Sequence, residues 1–123
     1  MSSKKTVIIG ATTNQSRYAF LAAEMLTSYK HEIIPVGIKK GEVQGQPILD
    51  INSRPPLKDV DTITLYIGPQ HQPEHYKYLL SLKPKRFIFN PGTENSVFEK
   101  LVEESGAEVI EACTLVMLRT GQY

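Results

Sequence analysis

Lys5-Thr6-Val7-Ile8-Ile9-Gly10-Ala11 decides the fold of this 123-residue chain. A short β-branched run stops at a glycine, the polar loop 12–16 follows, and an apolar-periodic segment then begins. This order is typical of a buried parallel strand that opens into the amino terminus of a helix. Such a turn exposes backbone N–H groups and the positive end of a helix dipole, and both attract phosphate. The stretch therefore predicts a protein that handles nucleotides.

Length and composition predict one globular domain that covers residues 1–123. Hydrophobic residues make up 41% of the chain and charged residues 22%, which are ordinary values for a soluble protein. Lys and Arg total 14 against 13 Asp and Glu, so the chain has no general attraction to nucleic acid or to an anionic membrane. The single cysteine, Cys113, cannot form an internal disulfide, which favours a reducing, cytoplasmic setting. No apolar run approaches the roughly 20 residues that span a bilayer.

Short apolar segments alternate with helical patterns along the chain. Strands covered on both faces are predicted at Thr6–Gly10, Glu32–Val36, Thr62–Ile67, Arg86–Phe89 and Glu108–Ile110. Helices are predicted at Ser16–Tyr29, Pro73–Leu82 and Ser96–Ser105. The longer stretch 37–61 is expected to be mostly irregular, with room for a small strand around Ile48 or a helical turn near Ile51.

The alternation predicts an α/β fold, namely a three-layer, Rossmann-like, doubly wound parallel sheet of about five strands. The expected strand order is 3-2-1-4-5. Ligands bind outside the carboxyl ends of the strands, where the order reverses between strands 1 and 4. Three loops are expected to meet there, at 11–16, 68–72 and 90–95, and the loop 37–41 lies beside them.

The residues at the ends of the first two strands restrict the nucleotide. Of a G-x-G-x-x-G fingerprint only Gly10 is present. Strand 2 ends in Val36-Gly37-Ile38-Lys39-Lys40, whereas an NAD site carries Asp or Glu there. Because Lys39 and Lys40 attract a phosphorylated ribose, the residues favour coenzyme A, with its 3′-phosphate, or NADP, with its 2′-phosphate.

Four segments, in this order, resemble the small stand-alone CoA-binding proteins. Those proteins look like the CoA-binding, Rossmann-like domain of the succinyl-CoA synthetase α subunit. The segments are Val7–Asn14, Ile34–Lys39, Phe89–Asn95 and Glu111–Leu118, and the resemblance covers nearly the whole chain. One departure concerns the loop before Lys39, where relatives usually have Asn-Pro and this chain has Gly37-Ile38.

The resemblance implies that the cofactor is coenzyme A or acyl-CoA, and it implies a set of binding residues. Gly10, Ala11, Thr12 and Asn14 would form the first phosphate loop, supported by Arg17 and Tyr18. Val36 and Lys39 would face the adenosine end, where the charge argument adds Lys40. Tyr66 and Ile67 would wall the groove, and Asn90, Pro91 and Gly92 would line its far side.

The function predicted from these observations is CoA or acyl-CoA binding without catalysis, because no nucleophile–base pair can be assembled. Such a protein could sense acyl-CoA, carry it, or dock on a partner enzyme. Two alternatives stay open, namely an NADP-linked oxidoreductase and an interaction module that has lost its ligand. The apolar run Thr114–Leu118 is expected either to pair with another subunit, giving a homo-oligomer, or to complete the core.

No metal site and no catalytic residue is predicted. His71 and His75 are four residues apart and could share a helix face. Pro73 lies between them near a helix start, and a third ligand is not evident, so the pair does not indicate a metal centre.

Overall fold

The computed structural model describes residues 3–123, which form a sheet covered by helices on both faces. The strands are β1 (Thr6–Ile9), β2 (Ile33–Gly37), β3 (Glu42–Val43), β4 (Gln46–Pro47), β5 (Leu49–Asp50), β6 (Thr62–Leu65), β7 (Arg86–Phe89) and β8 (Glu108–Glu111). The helices are α1 (Tyr18–Ser28), α2 (Tyr76–Ser81), α3 (Ser96–Glu104) and α4 (Thr114–Arg119). Short 3₁₀ turns occupy Ile51–Ser53, Pro69–His71 and Pro73–His75.

The main sheet has six parallel strands in the order β5-β2-β1-β6-β7-β8. This confirms the doubly wound, Rossmann-like class and corrects the strand count from about five to six. Numbered along the chain, the six strands lie in the order 3-2-1-4-5-6. However, the third strand is Leu49–Asp50 and not the predicted Thr62–Ile67, so β6 pairs directly with β1. A two-residue strand is too short to show an apolar period, which is why the sequence hinted at it only as an extra strand around Ile48.

The helix boundaries follow the sequence with small shifts. Helix α1 begins at Tyr18 rather than Ser16, because Asn14 Oδ1 accepts hydrogen bonds from both the Ser16 N–H (3.0 Å) and its hydroxyl (2.7 Å). The predicted second helix opens as the 3₁₀ turn Pro73–His75 before α2. Helix α3 is capped by Asn95, whose side chain accepts from the Phe98 N–H at 3.1 Å.

Two apolar clusters fill the space between the sheet and its helices. On one face, Phe98 of α3 packs edge-on against Phe87 and Phe89 of β7, with ring centroids 5.4 and 5.8 Å apart. On the other face, the small residues of α1 and Leu118 of α4 cover β1. The C-terminal run therefore completes the core as a helix. Among residues 3–123, none of the helices has the length and apolarity that crossing a membrane requires.

Tyr123 ties the end of the chain to the amino edge of the sheet. Its ring lies 4.4 Å from the guanidinium carbon of Arg86, which in turn donates from Nε to Thr62 Oγ1 at 2.7 Å. The Tyr123 hydroxyl is hydrogen-bonded to Thr6 Oγ1. The main-chain oxygen of Tyr123 accepts a hydrogen bond from Lys4 Nζ at 2.6 Å. The amino ends of β1, β6 and β7 are thus held by one aromatic side chain.

Replacing Tyr123 tests this contact. We expect Tyr123→Ala to lower the free energy of unfolding by about 2–3 kcal/mol, because the ring is lost from a partly buried site. Tyr123→Phe keeps the ring and loses one hydrogen bond, so we expect a loss of about 1 kcal/mol. Urea denaturation followed by circular dichroism measures both values, and equal losses would show that the ring contributes nothing.

Candidate functional site

A cleft of about 500 Å³ opens at the carboxyl ends of the parallel strands. Its walls come from the segments that follow β1, β2, β6 and β7, together with the first turn of α1. In the sheet, β2 lies on one side of β1 and β6 lies on the other, so the strand order reverses at β1. Open α/β sheets bind their ligands at the carboxyl ends of the strands at such a position. The sequence predicted this place, although it assigned the reversal to a different pair of strands.

Most of the predicted binding residues line the cleft. They are Gly10, Ala11, Thr12, Arg17, Tyr18, Lys39, Tyr66, Ile67, Pro91 and Gly92. Asn14, Val36, Lys40 and Asn90 do not belong to the lining. Asn14 and Lys40 are exposed on the surface beside it.

Val36 is fully buried and belongs to the apolar core, so its side chain does not face a ligand as predicted. Its carbonyl oxygen accepts from the N–H groups of Gly10 (2.9 Å) and Ala11 (3.1 Å). These two hydrogen bonds attach the loop after β1 to the end of β2. The error arises because side chains alternate between the two faces of a strand, and the last apolar residue of β2 points into the core.

Asn90 is 2% exposed and also acts inside the protein. Its side-chain Nδ2 donates to Thr64 Oγ1 (2.7 Å) and to the Leu65 carbonyl (2.9 Å). Its Oδ1 accepts from the Thr114 N–H at 2.8 Å. A polar residue at a strand end looks like a ligand contact in the sequence, but here it joins β6, β7 and the start of α4.

The loop after β1 keeps part of its backbone free. The N–H groups of Gly10 and Ala11 are used by Val36, and Thr12 Oγ1 accepts from the Asn14 N–H at 3.1 Å. Within residues 3–123, we find no protein acceptor for the N–H groups of Thr12, Tyr18 and Ala19, all three of which line the cleft. An anion at the amino end of α1 would satisfy such donors and the helix dipole together.

The cleft combines positive charge with exposed apolar surface. Arg17 and Lys39 both line it. Tyr18 and Ile38 line it as well and are 70% and 74% exposed. Burial raises the pKa of Tyr66 to about 12, so this phenol stays neutral at physiological pH.

Ten further residues line the cleft and were not named as binding residues from the sequence, although five of them lie in the loops 37–41, 68–72 and 90–95 that were expected there. The ten are Ile9, Ala19, Gly37, Ile38, Ile51, Gly68, His71, Glu74, His75 and Thr93. Gly37 carries a signal that was available, because the resemblance implies Asn-Pro at the position where this chain has Gly37-Ile38. A Cβ there would lie 2.9 Å from the Ala11 carbonyl oxygen, so glycine lets the end of β2 approach the loop after β1 closely.

Two histidines and a carboxylate belong to the lining of the cleft. His71 and His75 both line it, with Glu74 between them in the chain. Nowhere in the described part of the chain do three His, Cys, Asp or Glu side chains come together in a way that could hold a metal ion.

Gly10 gives a direct test of the loop geometry. Its φ is +95°, and a Cβ would meet the Tyr66 carbonyl oxygen at 3.1 Å. We expect Gly10→Ala to lower the free energy of unfolding by about 2–3 kcal/mol, from the left-handed backbone and the contact together. Gly45→Ala is the matched control: its φ is +78° with no atom within 4 Å, so about 1 kcal/mol is expected. Thermal denaturation of both variants measures these losses of stability. Equal losses for the two variants would contradict the close approach of the Tyr66 carbonyl oxygen to Gly10.

Comparison with known proteins identifies a family and a set of similar structures. A family model described as a CoA binding domain matches residues 4–119. A solved structure titled as an uncharacterized protein is 57% identical, covers 100% of both chains and has a TM-score of 0.96. A conserved hypothetical protein from Pyrococcus furiosus is 25% identical, with 92% of this chain and 97% of that chain covered and a TM-score of 0.80. A Thermus thermophilus protein at 21% identity, covering 98% and 91% with a TM-score of 0.82, shares the fold. A search of curated proteins finds no match.

Proposed function

The chain belongs to the CoA-binding domain family, and on this premise we propose that its cleft binds coenzyme A or acyl-CoA through the nucleotide moiety. The observation that carries the proposal is the position of Lys39. This cation lines the same cleft as the loop after β1, whose Thr12 N–H is without a protein acceptor in residues 3–123. The nucleotide end of CoA carries a ribose phosphate and a pyrophosphate. A cation suits the ribose phosphate, and unpaired N–H donors suit the pyrophosphate.

The shape and the apolar part of the cleft support the same ligand. Its volume of about 500 Å³ lies within the range of about 300–1,000 Å³ found for small-molecule sites. Ile38 stands next to Lys39 in the chain, and both Ile38 and Tyr18 expose large apolar surfaces. An adenine ring close to the ribose phosphate would cover those surfaces and remove them from water.

We propose that this chain binds without covalent chemistry of its own. Cys113, the free thiol, lies outside the cleft lining, and one ring nitrogen of His75 is occupied by Arg54. A role as an acyl-CoA sensor or carrier, or as a nucleotide-binding unit that docks on a partner enzyme or on a second copy, fits this chemistry. The likeness to succinyl-CoA synthetase extends in this proposal to nucleotide binding only. The free thiol also agrees with a reducing, cytoplasmic compartment.

Calorimetric titration of CoA, 3′-dephospho-CoA and NADPH tests the proposal. We expect CoA to bind and Lys39→Gln to weaken its binding by about tenfold, because a hydrogen bond between charged groups is lost. Binding of 3′-dephospho-CoA should respond little to this substitution, since it lacks the phosphate that Lys39 would contact. Lys40→Gln removes the same charge outside the cleft and should change the Kd for CoA by no more than about twofold.

Two results would overturn the proposal. One is an absence of both heat and thermal stabilisation at millimolar CoA, which would favour an interaction module that has lost its ligand. The other is tighter binding of NADPH than of CoA, which would favour the oxidoreductase alternative. Mass spectrometry of the gently purified protein adds an independent observation, because a nucleotide that co-purifies is identified by its mass.

A further inference from the structure

His75 is a buried histidine in the wall of the cleft, 5% exposed. Its Nδ1 lies 2.8 Å from Nη1 of Arg54. A guanidinium is always protonated and can only donate, so Nδ1 must be the acceptor of this hydrogen bond. The imidazole is therefore neutral, and its hydrogen is carried by Nε2.

Arg54 is held firmly enough to impose this tautomer. Its Nη1 also donates to the Ile51 carbonyl (3.0 Å), and its Nη2 donates to the Glu74 carbonyl (2.9 Å). The guanidinium carbon lies 5.5 Å from the ring centre of Tyr78. The backbone of Arg54 is left-handed, with a φ of 52°, a conformation that persists only where surrounding contacts hold it.

The Nε2–H group of His75 has no acceptor in the protein among residues 3–123. The nearby carboxylate oxygen Oε1 of Glu74 is 3.7 Å from Nε2, which is too far for a hydrogen bond. The Nε2 atom is not among the fully buried side-chain atoms that lack a partner, so it stays accessible while the ring lines the cleft. A donor in this position is free for an acceptor that a ligand brings into the cleft. Burial lowers the pKa of His75, the nearby Glu74 carboxylate acts in the opposite direction, and the charge of Arg54 adds a smaller lowering.

We propose that His75 is a ligand-binding residue that donates a hydrogen bond from Nε2 to an uncharged acceptor of the bound ligand, and that Arg54 is the positioning residue that fixes its tautomer. The identity of the ligand rests on the proposed CoA function, whereas the tautomer does not. A neutral donor matches an amide carbonyl of the pantetheine arm or a ring nitrogen of adenine. The phosphates are left to Lys39 and the loop after β1.

Nitrogen NMR of the ligand-free protein tests the tautomer alone. The chain has three histidines, so the ring signals are readily assigned by substitution. We expect His75 to show Nε2–H with an unprotonated Nδ1 at neutral pH. Arg54→Met should weaken this preference towards that of a free imidazole, and Arg54→Lys should restore it, because an ammonium group also only donates. A His75 ring protonated on Nδ1 in the wild-type protein would overturn the inference.

Calorimetry of His75 variants tests the contact with the ligand. His75→Phe keeps the ring and removes the donor, so we expect the Kd for CoA to rise by about fivefold to tenfold. His75→Gln should retain most of the affinity, since its amide reaches about as far as Nε2, whereas His75→Asn reaches only as far as Nδ1 and should behave like Phe. His31→Phe is the matched control, because His31 lies at the opposite edge of the sheet, beside Lys4 and Tyr123.

Adenosine 3′,5′-bisphosphate, which lacks the pantetheine arm, locates the acceptor. If His75→Phe weakens the binding of CoA and of this nucleotide equally, the acceptor is on the nucleotide. If only CoA binding is weakened, the acceptor is on the arm, and both results support the inference. Unchanged affinity of folded His75→Phe for both ligands would overturn it while leaving the CoA proposal intact. Failure of wild-type protein to bind CoA would instead overturn the proposed function, and the tautomer measurement would still stand.

Discussion

One backbone carbonyl group, that of Val36, joins the loop after β1 to the end of β2. The Val36 oxygen at the end of β2 accepts hydrogen bonds from two consecutive N–H groups, those of Gly10 and Ala11. Hydrogen bonding between parallel strands would supply one donor to such an oxygen. The second hydrogen bond, from the Ala11 N–H, holds the loop after β1 close to β2. Gly37 permits this approach because it has no side chain to meet the Ala11 oxygen. The loop after β1 and the end of β2, which both contribute to the lining of the cleft, are therefore joined by backbone hydrogen bonds.

The same arrangement explains which donors remain for a ligand. The first two N–H groups of the loop are used internally, and within residues 3–123 those of Thr12, Tyr18 and Ala19 have no protein acceptor. A Rossmann fingerprint with three glycines brings the pyrophosphate down onto the loop itself. Here the later glycines are absent and the first two N–H groups are occupied. In the proposed complex a phosphate would therefore lie at the start of α1, where Lys39 would add positive charge.

The sequence predicted those parts of the fold that depend on local pattern. The strands of four or five residues are at least half apolar, and apolar residues recur at helical spacing in α1 and α3. The fold class and the location of the cleft could therefore be predicted. Leu49–Asp50 was placed only as a hint, because two residues cannot display a period, and the strand order was misassigned as a result. Val36 and Asn90 were misjudged because the face on which a residue lies depends on its partner strands. His75 was missed for a similar reason, since its chemistry is set by Arg54, which is 21 positions away.

Asn90 has a mechanical consequence for any protein that touches α4. Its amide joins the ends of β6 and β7 to the first N–H of that helix, and the next two residues, Pro91 and Gly92, line the cleft. Helix α4 is therefore joined to the residue that precedes Pro91 and Gly92 by one hydrogen bond, from the Thr114 N–H to Asn90 Oδ1. By thermodynamic linkage, a partner that shifted α4 and a nucleotide in the cleft would alter each other's affinity by the same factor.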